Sequence, residues 1–170
     1  MKLLINGNFK TKSTLLYDLF FSYFEMDGFI EKNHHLAIDN GSNLNLLNLG
    51  NQPLGQGVVA KHHLYDNISI EALKRNNVSI IYTYRNFDSM IRAHYFHFCK
   101  EKFRLALFFY IPTIGFMKFI EMKHFHEVVM RDAEVLKVDM NKDLNLDILC
   151  ERMMIKFGIS LDRIRLHDAY

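Results

Sequence analysis

The run Val78–Tyr84, VSIIYTY, constrains the fold more than any other stretch of this chain. It is built from β-branched and aromatic residues, which suit a strand and crowd a helix. A run this continuous reads as a central strand of a parallel sheet, covered by helices on its faces. Arg85-Asn86 marks its exit.

The rest of the chain supplies matching elements. Lys2–Ile5 is a short apolar run that meets Asn6-Gly7, and Ser13–Met26 carries Leu15, Leu16, Leu19, Phe20, Tyr23 and Phe24 at helical spacing. Together they form one βα unit. The asparagine- and glycine-rich segment from Asn33 to Gln56 reads as loops, and Val58–His63 as a second strand. Ser69–Asn76 reads as a short helix with Ser69 as its N-cap and Asn76-Asn77 as its stop. Helices are then expected over Phe87–Lys100 and Thr113–Arg131, a strand at Val135–Val138, and a helix over Asp143–Phe157 closed by Gly158. Strands alternating with helices in this way predict an α/β fold around a mainly parallel sheet.

Length and composition narrow the function classes. The chain has 170 residues, 49% of them hydrophobic and 24% charged, with two prolines, so a single domain folded throughout is expected. A formal net charge of +2, with no long basic block, argues against a general nucleic-acid binder. Cys99 and Cys150 are the whole cysteine complement and read as free thiols of a reducing, cytoplasmic compartment. The N-terminus lacks the apolar length of a signal peptide. The most apolar stretch, Leu105 to Phe119, is interrupted by Pro112 and Gly115 and is shorter than the roughly 20 residues a membrane span requires. Core, or the wall of an apolar pocket, is the expected use.

Ligands of open α/β sheets bind at the carboxyl ends of the strands, and three strand exits here carry anion-binding or proton-handling residues. The first is GNFKTKST, residues 7–14, where Gly7 permits a turn, Thr11, Ser13 and Thr14 offer hydroxyls, and Lys10 and Lys12 bring charge to a helix N-terminus. It fits the Walker pattern poorly, because Lys12 stands at the second glycine and Ser13 at the lysine. The second is AKHHLYD, in which Lys61 and His63 share one side of an extended segment and His62 faces the other. A histidine there can take a proton from a hydroxyl, and a lysine can neutralise charge on transferred oxygens. The third is Arg85 at the end of the central strand, a residue suited to holding phosphate in two places at once. Each exit alone also reads as a capped helix or a solvated edge; their convergence is what points to a site. The histidines of HYFH and HFH, at 94–97 and 124–126, lack the companion cysteines or carboxylates of a zinc site, and no metal is expected.

These motifs, in this order, resemble the sulfotransferase family. Its phosphosulfate loop, G-x-P-[KR]-[ST]-G-T-T, is similar to GNFKTKST; its K-T-H-L segment to KHHL; and its VIYVYRNPRDVLVSYYHFY segment to IIYTYRNFDSMIRAHYFHF. The stretch GFMKFIEMKHFHEVVMRDAEVLKVDMNKD also resembles the family's G-x-W-x-x-H-x-x-x-W region and the strand and turn after it. The resemblance implies a three-layer, P-loop-like α/β fold and transfer of a sulfuryl group from 3′-phosphoadenosine 5′-phosphosulfate (PAPS) to a hydroxyl or amine on a small molecule or glycan. It implies donor binding by Lys10, Thr11, Lys12, Ser13, Thr14 and Arg85, and chemistry by His63, Lys10 and Lys61. Phe9 stands where the family has proline, Lys12 where it has glycine and Ala93 where it has serine, and no R-K-G-x-x-G-x-W segment occurs before Tyr170. These departures keep open a second reading, a sulfotransferase-like nucleotide-binding or interaction protein without catalysis. A homo-oligomer is compatible with either.

Overall fold

The computed structural model describes residues 1–7, 11–26, 58–63, 67–86, 116–142 and 144–170. Within them the strands are β1 (Lys2–Gly7), β2 (Val58–His62), β3 (Ser79–Tyr84) and β4 (Leu136–Asp139). The helices are α1 (Ser13–Met26), α2 (Asn67–Arg75), α3 (Phe116–Arg131), α4 (Leu146–Phe157) and α5 (Arg163–Ala169). The loops expected at 33–56 and the helix expected at 87–100 lie outside the described residues, as do Cys99, Ala93 and the histidines at 94 and 97.

The strands form one all-parallel sheet in the order β2-β1-β3-β4. β3 is interior and parallel to both neighbours, as its composition predicts. The sheet has a core on each face, because successive strand residues alternate between faces. Leu3 and Ile5, with Val59, Ile81, Leu136 and Val138, pack under α1, α4 and α5. Leu4, Ala60, Ile80 and Tyr82 pack under Ile70 and Leu73 of α2 and Phe125 and Val129 of α3. The chain is therefore an α/β fold with helices on both sides of a parallel sheet.

Local chemistry sets the helix ends. α4 starts later than expected, at Leu146, because Asn145 caps it: its side chain accepts from the Ile148 N–H at 3.0 Å. Gly158 ends it at φ 66°, as foreseen. Ser69 is not an N-cap, since α2 already begins at Asn67. α5 has no counterpart in the sequence reading. It is docked by tertiary contacts, with Leu166 fully buried and the Asp162 N–H donating to the Tyr23 hydroxyl of α1 at 2.8 Å. Cys150 is buried, and burial pushes its thiol pKa up, as expected of an inert thiol.

On the second face, Tyr82 and His126 are hydrogen-bonded at 3.1 Å, which ties α3 to β3. Lys74 of α2 bridges Glu134, Glu71 and Asp132 at 2.8, 2.7 and 3.0 Å, and those carboxylates raise its pKa well above the ordinary lysine value. Among the described residues no helix is long and apolar enough to cross a membrane.

Burial holds the His126 imidazole below its ordinary pKa, against a smaller opposing pull from Glu127. As pH falls through about 6.5 the unfolded chain takes up a proton that the folded chain still refuses, so stability decreases. The urea midpoint is expected to fall between about pH 7.5 and about pH 5.5, and to fall less in His126→Gln. Equal slopes in the two proteins would remove His126 as the source.

Candidate functional site

β1 is interior, and the chain leaves it for β2 on one side and later for β3 on the other. The carboxyl ends of β1 and β3 therefore flank a topological switch point, the place where open α/β sheets form their ligand crevice. The register brings the strand exits level: Asn6 lies beside His62, and Gly7 beside Thr83.

The junction from β1 to α1 is held by two buried threonines. Thr83 Oγ1 donates to the Asn6 carbonyl at 3.4 Å, which leaves Thr11 as donor in its 2.9 Å hydrogen bond to Thr83 Oγ1. Both residues are fully buried. Gly7 allows this close approach: a Cβ there would overlap the Thr83 hydroxyl, lie 2.6 Å from Thr11 Oγ1 and stand 3.0 Å from the Thr83 carbonyl oxygen. Turning the two hydroxyls aside would break their hydrogen bonds, and the contact with the backbone carbonyl would stay tight.

Lys12 precedes the helix in the left-handed region, at φ 56°. Its backbone has the conformation that favours glycine, and its side chain is exposed. A lysine here therefore bears the backbone strain that a glycine would avoid. Its carbonyl accepts from the Leu16 N–H at 3.4 Å, starting α1. Ser13 is buried and Thr14 exposed, and no acidic residue occupies the first turn of α1. The helix dipole, its N-terminal amides and these hydroxyls together favour an anion.

Two residues of the β2 exit reach this junction. Lys61 Nζ donates to Thr14 Oγ1 at 2.7 Å. His63 Nδ1 lies 2.5 Å from the Gly7 carbonyl oxygen, which can only accept, so Nδ1 carries the proton. In the neutral ring Nε2 is then the basic nitrogen. Arg85 stands half-buried two residues past Thr83, at the exit of β3. That exit is joined to β4: the Asn86 N–H donates to Asn141 Oδ1 at 2.9 Å, and Asn141 donates to Asp139 through its backbone and side-chain nitrogens.

The structure thus gathers Thr11, Lys12, Ser13, Thr14, Lys61 and His63 around one helix N-terminus, with Arg85 on the adjoining strand exit. Lys10 lies outside the described residues. Thr83 is the structural residue that sequence reasoning missed. A threonine inside a β-branched run looks like any strand residue, and only its register with Gly7 exposes its role. No family model matches this chain, and no curated protein or solved structure is similar enough to match it.

Relieving the left-handed lysine with Lys12→Gly is expected to raise stability by about 1 kcal/mol in urea unfolding. Gly7→Ala is expected to lower it by about 1–3 kcal/mol, since the added methyl has nowhere to go. The opposite sign in either measurement contradicts the backbone assignment.

Proposed function

We propose that this chain is a PAPS-dependent sulfotransferase with a P-loop-like fold. The observation that carries the reading is the convergence of His63 and Lys61 on the β1–α1 junction, where the Gly7 carbonyl fixes the histidine tautomer. Hydroxyls, helix amides and lysines without a first-turn acid are the donor set that a phosphosulfate requires, so the residues present fit that group.

On this reading Thr11, Ser13 and Thr14, with the amides of α1, hold the 5′-phosphosulfate, and Lys10 and Lys12 add charge around it. Thr11 contributes mainly by fixing the loop, because its hydroxyl already donates to Thr83. Arg85 holds the 3′-phosphate from the neighbouring exit. The bound donor supplies an electrophilic sulfur with a good leaving group. His63 Nε2 takes the proton of the acceptor hydroxyl or amine as its oxygen or nitrogen bonds to sulfur. Lys61, oriented through Thr14, neutralises charge on the transferring oxygens, and Lys10 neutralises the bridging oxygen as the sulfur–oxygen bond breaks. Adenosine 3′,5′-bisphosphate leaves. The acceptor class on this reading is a small molecule or glycan.

A histidine whose Nδ1 is held by the Gly7 carbonyl, leaving Nε2 as the basic nitrogen, favours catalysis over the alternative of a non-catalytic sulfotransferase-like nucleotide-binding or interaction protein. Calorimetric titration with adenosine 3′,5′-bisphosphate is expected to show binding, and Arg85→Ala to erase the preference for it over adenosine 5′-phosphate. His63→Ala is expected to keep nucleotide binding and to lower turnover by about 10²–10⁴-fold. Absence of binding at millimolar nucleotide would sink the proposal. Binding without a sulfated product, across a panel of hydroxyl and amine acceptors, would transfer it to the non-catalytic alternative.

A further inference from the structure

The outer face of α4 carries a pattern that neither the core nor the site uses. Leu146, Leu149, Cys150 and Met153 are its buried side. Directly opposite, at spacings of three, four and seven residues, stand Ile148, Glu151, Arg152 and Ile155. Ile148 is 51% exposed and Ile155 85%, an unfavourable position for two isoleucines on one stripe. Asn145 and Gly158 cap the helix at its two ends, so the stripe sits on a well-formed element about 18 Å long.

The stripe is mirrored about the midpoint between Glu151 and Arg152. Ile148 and Ile155 are equidistant from that point, as are Glu151 and Arg152, and farther out Asp147 and Lys156. Acids occupy one half and bases the other. An antiparallel copy of the same helix therefore sets isoleucine against isoleucine and every acid against a base, which is the self-complementarity that a two-fold interface requires.

We propose that this face of α4 is a docking surface for a second copy of this chain, packed antiparallel about a two-fold axis between Glu151 and Arg152. Ile148 meets Ile155 of the second copy, Glu151 meets its Arg152, and Asp147 approaches its Lys156. A cavity of about 380 Å³ opens on one flank of the stripe, lined by Glu151, Met154, Ile155, Leu161 and Arg163 among others. The existing contacts are compatible with this arrangement. Arg163 reaches Glu151 at 3.2 Å and Asp147 at 3.7 Å, but all three side chains are more than half exposed, and such pairs hold their partners weakly. The basic half already carries mutual repulsion: burial and then Lys156 push the Lys137 pKa down, Asp132 opposes them, and Arg152 adds a smaller push. Lys156 also donates to the Ala133 carbonyl, which makes Asp147–Lys156 the outermost and weakest of the pairings.

A single helix pair is small beside standard interfaces, so the dimer is concentration-dependent. Sedimentation velocity of the full chain over a dilution series is expected to show a monomer–dimer equilibrium. Glu151→Arg places arginine against arginine twice by symmetry and is expected to weaken association by about tenfold or more. Arg152→Glu does the same with acids, and the double variant, with the two charges exchanged, restores the dimer. Ile155→Ser weakens association without touching charge; circular dichroism checks that each of these surface variants remains folded. A wild-type monomer at every concentration overturns the proposal and assigns the stripe to another segment of this chain or to a different protein. A dimer indifferent to Glu151→Arg places the contact elsewhere and overturns it equally. A double variant as monomeric as the single ones overturns the antiparallel register.

Discussion

The contact between Gly7 and Thr83 sets the geometry on which the candidate site depends. Parallel strands lie about 4.8 Å apart, and a side chain between their ends would normally keep the following loop at a distance. With no Cβ at Gly7, the Thr83 hydroxyl reaches both the Asn6 carbonyl and Thr11, and Thr11 is drawn into full burial. That anchors the start of α1, because Thr11 is followed after one residue by Ser13, the first residue of the helix. The same glycine offers its carbonyl to His63, so one small residue at the end of β1 orients both the helix N-terminus and the imidazole.

This arrangement buries polar groups at the edge of a core, which is unfavourable unless each is partnered. The threonine chain satisfies the requirement with donors and acceptors in sequence, ending on a backbone carbonyl. Lys61 and Thr14 remain closer to solvent, where an ammonium keeps most of its hydration and still points at the helix N-terminus. The outcome is a fixed, hydrogen-bonded inner layer and a more accessible charged outer layer. That division suits a site in which the frame must not move while a charged ligand comes and goes.

Much of this was legible in the residues, and the remainder was not for identifiable reasons. The interior, parallel position of β3 follows from an unbroken β-branched and aromatic run, and the span of α1 from the spacing of its leucines and aromatics. Gly158 announces the end of α4 because αL at a helix terminus is what glycine supplies best. α5 gave no such signal: it is seven residues long with Leu166 as its buried side chain, too short for a period, and it owes its place to Tyr23, far away in sequence. The bonds from Thr11 to Thr83 and from His63 to Gly7 likewise join residues 72 and 56 positions apart, so they exist only once the sheet is in register. Sequence motifs singled out the candidate residues, but only strand order brings their exits together.

Lys12 separates a conformational question from an electrostatic one. Read as a side chain at a glycine position, it argues against an open anion loop. Read as backbone, at φ 56° with an exposed side chain, it meets the conformational demand at a strain cost of about 1–2 kcal/mol. Without an anion its charge is not rewarded, because the residue immediately precedes α1, at the positive end of the helix dipole, with Lys61 close to the same turn. Glycine would be better there on both counts. An anion at the helix N-terminus reverses the sign of the electrostatic term, since the same two lysines then face opposite charge at short range. A strained lysine at this position is therefore favourable only when the junction holds an anion, and Lys12 becomes an argument for the phosphosulfate reading.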